Sequence, residues 1–498
     1  SKEAFRAGKE YHFRRNGEIL MNLEDKLKEL KEEVPKVDSS LESKIYLNSI
    51  KKKTGRNPFF NKLTLSIAGI VSIILILTIG LVTFRQVENN KMNSAVHLLK
   101  QVIEPKDKEN PSDSYAEFCD TVNIFSGELA SLAVEELGSS ENTVMSPVSL
   151  FSALALAVEC SDGASRQQIL DAMGMDYATL ALNYEKLYQE INRVGLYADD
   201  PSKTKCKLTN SIWLDKNVVF KETGLNNLAN HYYSYSHSLD MKKIDYVNRY
   251  IKAFISKQTD GFLKPDFSIS KDTIFLLMNT LYLKDVWQST GKEIKLTDAK
   301  YDFTNADGSK ITKKLMMGKY ILGKAYEQEE YREFYTSTSS GYKVHFIVPK
   351  EEYDIDQLFT SEVISALCKR EYEKENEEAK ERYFTRVLFP EFQAESSLHL
   401  EEILTKLGIS DIFHIETSDF SNLSDGKLVC NGVSQSAKLV VNRKGIEGGA
   451  VTFFEGAGAP GPSEVKEIYY DFVVDRSFGY VITNSKGINL FSGIIRHI

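Results

Sequence analysis

Hydrophobic positions divide the chain into stretches of different character. In "NGEILMNLEDKLKELKEEVPK", Leu20, Leu23, Leu27 and Leu30 recur at three- and four-residue spacing between charges, and Pro35 closes the pattern. The spacing predicts a short amphipathic helix, suited to a coiled coil, a membrane surface or simple solvation. From Leu63 to Phe84, "LTLSIAGIVSIILILTIGLVTF" runs for 22 residues without a charge. A helix of that length spans roughly 33 Å against a hydrocarbon core of about 30 Å, which predicts a transmembrane helix over 63–84. No polar face interrupts the run, which disfavours a core helix. A cleaved signal peptide would carry an apolar part of about 7–15 residues close to the N-terminus.

Beyond the apolar run, "EPKDKENPSDS" with Pro105 and Pro111 reads as a linker. The expected organisation is a cytoplasmic segment at 1–62, a span at 63–84, a linker at 85–114 and one large domain at 115–498. In that domain "SPVSLFSALALAVEC" offers Ser146 as N-cap and Pro147 at the first helical position, followed by small and apolar residues of a helix buried on most sides. "TIFLLMNTLYLKDVW" is a near-continuous apolar run, the pattern of a central strand covered on both faces. "GYKVHFIVPK", "YFTRVLFPEFQAES" and "YDFVVDRSFGYVITNSKGINLFSGII" also read as strands. "EYEKENEEAKER" (371–382) is dense in both charges and reads as a solvated helix. The class is α+β.

Charge gives the span a direction. Lys44, Lys51, Lys52, Lys53, Arg56 and Lys62 precede it, whereas Arg85, Lys91 and Lys100 are the basic residues that follow closely. The N-terminal side should remain cytoplasmic and the large domain should be exported, as in a signal-anchor protein. A formal charge of -8 over 498 residues leaves no basic surface of the kind nucleic acids require. Cys119, Cys160, Cys206, Cys368 and Cys430 lie far apart without a C-x-x-C pair, so neither a zinc site nor a disulfide framework is expected. H-E-x-x-H, G-x-S-x-G and G-x-x-x-x-G-K-[ST] are all missing, and no cofactor or metal is expected. Asn422-Leu-Ser matches the glycosylation sequon.

"EGAGAPGPSE" near the C-terminus contains Gly456, Gly458 and Gly461 in G-x-G-x-x-G order, with Asp475 beyond. A dinucleotide cradle needs a helix to open at the third glycine so that its backbone N–H groups face the pyrophosphate. Pro460 and Pro462 flank that glycine, and "EVKEIYYDFVV" after it has the pattern of a strand. The segment is therefore expected as an exposed loop, open to proteolysis. Just upstream, "GIEGGAVT" alternates: extended, it places Ile446, Gly448, Ala450 and Thr452 on one face and Glu447, Gly449 and Val451 on the other. Such a segment packs poorly by itself but is slim enough to slide between two strands.

These blocks together resemble the serpins. "NTVMSPVSLFSALALAVECSDGASRQQILDAMGM", "LLMNTLYLKDVW", "DFTNADGSKITKKLMM", "FPEFQAESSLHLEEILTKLGISDIF" and "FVVDRSFGYVITNSKGINLFSGII" follow one another in that family's order. The resemblance implies a metastable fold of three β-sheets and about eight to nine helices. It also implies a suicide-substrate mechanism rather than an enzyme: a protease cleaves the loop, whose N-terminal half then enters the main sheet and traps the protease. By position, Gly445 matches the hinge glycine, and Gly448, Gly449 and Ala450 match small residues that permit insertion. The reactive-loop hinge is then Gly445, Ile446, Glu447, Gly448, Gly449, Ala450, Val451 and Thr452. Ser146, Ser149 and Asn279 match polar positions beneath the parting strands, and Trp287 an aromatic where insertion begins.

Three positions depart from the family pattern: Arg443 replaces a glutamate, Ile446 a threonine or small residue, and Gln435 a histidine. Family spacing places the scissile bond within Gly456, Ala457, Gly458, Ala459 and Pro460, small uncharged bait suited to elastase-like or subtilisin-like serine proteases. The expected function is a membrane-anchored extracytoplasmic inhibitor of such proteases. The alternative is a non-inhibitory serpin acting as a binding or chaperone-like protein.

Overall fold

The structure, a computed structural model, describes residues 97–98, 113–138, 140–197, 204–265, 268–287, 293–370, 381–446 and 466–498. The chain divides into two units, Ser1–Asn90 and Lys91–Ile498, and every described residue belongs to the second. The expected amphipathic helix, the apolar stretch 63–84 and most of 371–382 lie outside the described residues. Among the described residues, no helix is long and apolar enough to cross a membrane.

The main sheet has seven strands: β1 (His97–Leu98), β3 (Ser234–Leu239), β2 (Lys205–Asp215), β4 (Phe275–Val286), β14 (Gly445–Ile446), β13 (Ser434–Asn442) and β12 (Phe392–His399), in that order. A five-stranded sheet runs β17 (Asn489–Ile495), β16 (Phe478–Thr483), β10 (Lys343–Pro349), β9 (Tyr331–Ser337) and β8 (Tyr326–Glu327). A three-stranded sheet comprises β15 (Lys466–Val473), β11 (Glu381–Phe389) and β7 (Met316–Leu322). Three sheets were expected; the structure adds a two-stranded ribbon, β5 (Tyr301–Thr304) with β6 (Lys310–Lys313). The described residues contain nine α-helices. The class is α+β.

Sequence pattern explains which face each element buries. In α2 (Pro147–Cys160), Ala153 alone is not fully buried, because the helix is sandwiched between β4 and β17. Helix α6 (Ile244–Gln258) is amphipathic instead: Val247, Ile251 and Ile255, at four-residue spacing, are buried against Trp213, Leu239 and Met241. Burying each such side chain contributes about 1.5–3 kcal/mol. The strand period of two divides β4 between these helices, with Leu276 and Met278 packing in the α6 cluster and Leu277, Leu281 and Leu283 in the main core. Edge strand β12 alternates buried and exposed along its whole length, as a one-sided strand should.

One strand departs from its pattern. Residues 275–279 of β4 are only half-buried, although the apolar run predicts full cover on both faces. β2 pairs with them along one edge, and along the other they border a cavity, because among the described residues β4 and β13 are joined only through the two residues of β14.

Candidate functional site: a split sheet and its hinge

At one end of the split, β13 turns through Arg443 and Lys444 into β14, which pairs antiparallel with both neighbours. Gly445 lies opposite Val286 and Asn442, and Ile446 opposite Asp285 and Val441. Only glycine fits the first position. Its φ is +152°, and a Cβ there would lie 2.0 Å from the Asp285 carbonyl oxygen and 2.8 Å from Val286 Cα. Ile446 is fully buried, so its apolar side chain suits the inward face. The sequence reading held the whole stretch from Gly445 to Thr452 outside the sheet; the structure places its first two residues within it.

Beyond Ile446 the split continues as a cavity of about 430 Å³. Leu277, Asn279 and Leu281 of β4 and Gln435, Ala437 and Leu439 of β13 line its sides, with Ser149 and Ala153 of α2 contributing too. Ile255, Phe262, Leu263 and Ile269, at the end of α6 and just after it, also line this space.

Polar groups hold α2 to both sides of the split. Ser149 Oγ donates to Asn279 Oδ1 at 2.5 Å, and Asn279 Nδ2 donates to Asn210 Oδ1 at 2.6 Å. Asn210 Nδ2 in turn donates to the Tyr184 hydroxyl at 2.8 Å and the Tyr232 carbonyl at 2.6 Å. Burial pushes the Tyr184 phenol up to about 12, so it keeps its proton across ordinary pH. From the β13 side, Gln435 grips the start of α2 twice: Oε1 accepts from Ser146 N and Nε2 donates to Ser146 O, both at 2.9 Å. Ser146 stands at the expected N-cap position, yet its buried Oγ makes no capping bond. Gln435 thus supplies a two-point amide grip at the position where a histidine was expected.

The hinge end is closed by contacts across the split. Trp287 Nε1 donates to the Asn442 carbonyl at 2.6 Å, and its ring meets Phe389 edge-on at 5.3 Å. Arg443 is paired: its guanidinium reaches Glu293 at 3.1 Å, and its backbone N–H donates to Glu391 Oε1 at 3.1 Å. The Arg443 carbonyl also accepts from Ile294 N at 2.9 Å. The departure to arginine therefore comes with acidic partners. Sequence reasoning missed those two glutamates, and it also missed Asp285. This fully buried carboxylate accepts from Thr204 Oγ1 at 2.8 Å, Ser340 N at 3.0 Å and Ser340 Oγ at 3.1 Å, fixing the β4 terminus on which the hinge docks. The one signal was a lone acid inside the apolar run "LYLKDVW".

Glu447, Gly448, Gly449, Ala450, Val451 and Thr452, and the scissile candidates Gly456, Ala457, Gly458, Ala459 and Pro460, lie outside the described residues. After them the chain resumes as strand β15. Asn422 is a poor glycan acceptor: its Nδ2, the atom a glycan would take, donates to the Ser161 carbonyl at 2.8 Å, and the sequon's Ser424 is buried. The five cysteines are free.

Among the described residues, then, the main sheet is split between β4 and β13, and only Gly445 and Ile446 are paired into the split. The serpin (serine protease inhibitor) family profile matches residues 120–498. The chain belongs to the serpin family. An uncharacterized serpin-like protein of Methanosarcina acetivorans is 22% identical over 436 residues, covering 85% of this chain and 95% of that protein. Among solved structures, native tengpin, a thermophilic serpin, superposes with a TM-score of 0.64 at 21% identity, covering 81% of this chain and all of tengpin. Human thyroxine-binding globulin in complex with its hormone superposes with a TM-score of 0.61 at 18% identity, covering 77% of this chain and 99% of that one.

Proposed function

We propose that this serpin is a membrane-anchored, extracytoplasmic inhibitor that traps serine proteases of elastase-like or subtilisin-like specificity. The observation that carries the reading is the split between β4 and β13 with Gly445 and Ile446 already paired in it. Extending the β14–β4 register sets Gly448 opposite Leu283, Ala450 opposite Leu281 and Thr452 opposite Asn279. Ile446, Gly448, Ala450 and Thr452 then face α2, where small side chains suit the crowded space beside Ala153. Glu447, Gly449 and Val451 face the α6 side. Thr452 would meet the Ser149–Asn279 pair, where a hydroxyl finds hydrogen-bonding partners.

Small residues from Gly456 to Ala459 support elastase-like and subtilisin-like targets. The charge-free run from Leu63 to Phe84 and the basic residues before it support a single span with the serpin domain outside. Mixing the full chain in detergent with pancreatic-type elastase or subtilisin should give a covalent, denaturant-resistant complex and a released C-terminal peptide whose mass reports the cut. Loop turnover without any complex would defeat the inhibitor reading. In sealed vesicles carrying the cytoplasmic face inside, added protease should reach the serpin domain and spare 1–62.

The second reading is a binding or chaperone-like serpin, and the likeness to thyroxine-binding globulin keeps it in view. Loop nicking separates the two: an inserting serpin gains substantially in melting temperature, and a non-inserting one does not.

A further inference from the structure

The main sheet is finished differently at its two sides. On one side β12, "FQAESSLH", carries Glu395, which pairs with Lys438 at 2.8 Å, and a charge on an outer strand opposes pairing with a further strand. On the other, β3, "SYSHSL", holds no Asp, Glu, Lys, Arg or Pro. Helix α5 (Glu222–His231) packs against it, and Phe254 of α6 meets Tyr235 and His237 edge-on at 6.1 and 5.1 Å. Ser234, Ser236, His237 and Leu239 are buried. The outer edge of β3 therefore has no charge to repel a strand, while its backbone N–H and C=O groups call for partners.

The five-stranded sheet meets the same need at β17, "NLFSGII", which is also charge-free and outermost. Residues 143–145 lie along it: Thr143 N donates to the Ile494 carbonyl at 2.8 Å, Met145 N to the Ser492 carbonyl at 2.9 Å, and Ser492 N to the Met145 carbonyl at 3.0 Å. On β3 that part falls to β1, which pairs antiparallel with His97 opposite Ser238 and Leu98 opposite His237. β1 precedes the domain's first helix, α1 (Asp113–Leu137), and belongs to "SAVHLL", residues 94–99, a stretch without Asp, Glu, Lys or Arg between Lys91 and Lys100. Two residues make a short ladder, so covalent connection decides which occupant wins. A joined segment meets the edge at an effective concentration in the millimolar range, which a second molecule in dilute solution does not reach.

We infer that the outer edge of β3 is a strand-docking site whose occupant is this chain's own segment around His97 and Leu98, and that its occupancy keeps a second copy from pairing there. The mode is strand addition to a sheet edge. The site is separated from the split by β2 and β4, and it holds whether or not the loop inserts.

The test compares the full chain in detergent with the double variant His97→Pro/Leu98→Pro, in which neither position keeps an N–H to join the ladder. Backbone amide exchange is followed over 234–239, with 392–399 and 489–495 reporting that the sheets remain folded. Exchange over 234–239 should be about tenfold faster or more in the variant, with the other two segments unchanged. A labelled peptide of residues 93–103, NSAVHLLKQVI, should bind the variant saturably and the wild type about tenfold more weakly or less, because the tethered segment competes. Exchange within about twofold of wild type, equal peptide binding by both proteins, or no binding by the variant overturns the docking site. A second variant leaves the edge unweakened: His97→Cys/Ser238→Cys, opposite in register, should close an intramolecular disulfide under mild oxidation. Its failure to form overturns the site even if the proline variant does not fold. Sedimentation should show the proline variant associating at concentrations where wild type does not, with excess peptide reversing the association. A variant that binds peptide yet does not associate overturns the shielding of a second copy and leaves the docking of the segment standing.

Discussion

Arg443 offers a quantitative test of what keeps the split closed at the hinge. Arg443→Glu removes the 3.1 Å pair with Glu293 and sets a third carboxylate beside Glu293 and Glu391. Two unit charges at that distance interact by about 1.3 kcal/mol at the dielectric constant of water. The side chains of Arg443 and Glu293 are 41% and 35% exposed, so solvent screening applies and the lost attraction is roughly 0.5–1 kcal/mol. Repulsion of similar size brings the total to about 1–2 kcal/mol, a factor of roughly 5–30. Because the pair staples the end of β13 to the segment after β4, on the inhibitor reading its loss should lower the barrier to spontaneous insertion of the uncut loop. The assay incubates the variant at fixed temperature and follows the loss of trapping capacity with time, which should be about 5–30-fold faster than wild type. Adding Glu293→Lys should restore most of the lifetime, and 1 M salt should narrow the difference. An unchanged lifetime, or one the second substitution fails to rescue, would refute the latch.

Three further outcomes follow from the same geometry. Gln435→Ala strips the side-chain partner from the buried Ser146 N–H and leaves the Ser146 carbonyl with its bond from Leu150 N, so it should cost about 1–3 kcal/mol, read as a lower urea midpoint. Glu447→Lys puts a like charge opposite Lys284 in the extended register, so its nicked form should gain less heat resistance than nicked wild type. Burial pushes the His237 imidazole, which has no partner on either ring nitrogen, down to about 4, and pushes His345 down to about 3 with help from Lys343 and Arg370. The unfolded chain then binds protons below about pH 6.5 while the fold refuses them, so stability falls with pH from there to about 4. Between pH 7 and pH 5 His237 alone accounts for roughly 2 kcal/mol in the urea midpoint, and His237→Phe should flatten the profile.

Local pattern carried much of the fold and less of the site. The apolar content of α2 and β4, the strand alternation of β12 and the small residues after Gly445 are properties of neighbouring positions, and one sequence displays them. Gln435 facing Ser146, Arg443 facing Glu391 and Asp285 receiving Thr204 are pairings between distant parts of the chain that leave no periodic trace. This is why Arg443 and Gln435 read as departures in isolation: one has acquired acidic partners, and the other grips Ser146 through both ends of its amide. The half-burial of β4 was hidden for the opposite reason, since an apolar run looks the same whether its neighbour is a strand or a cavity.

On the inhibitor reading, the two residues of β14 also bear on how insertion would be restrained. Starting a strand between two others requires parting them and fixing the first residues before the ladder repays that cost, and Gly445 and Ile446 have already passed this stage. What remains is propagation, each added residue gaining ladder bonds of about 0.5–1.5 kcal/mol and covering half-buried positions of β4 such as Leu277. Besides the Arg443 latch, a second restraint lies at the other end of the segment. There β15 is held by eight consecutive register pairs with β11, Glu381 with Lys466 through Leu388 with Val473. An intact chain cannot feed the split without either stretching across the molecule or stripping β15 from β11. On the inhibitor reading, one broken peptide bond between Gly456 and Pro460 would remove that choice, so the stability of the β11–β15 pairing should set the lifetime of the uncut state together with the latch at Arg443.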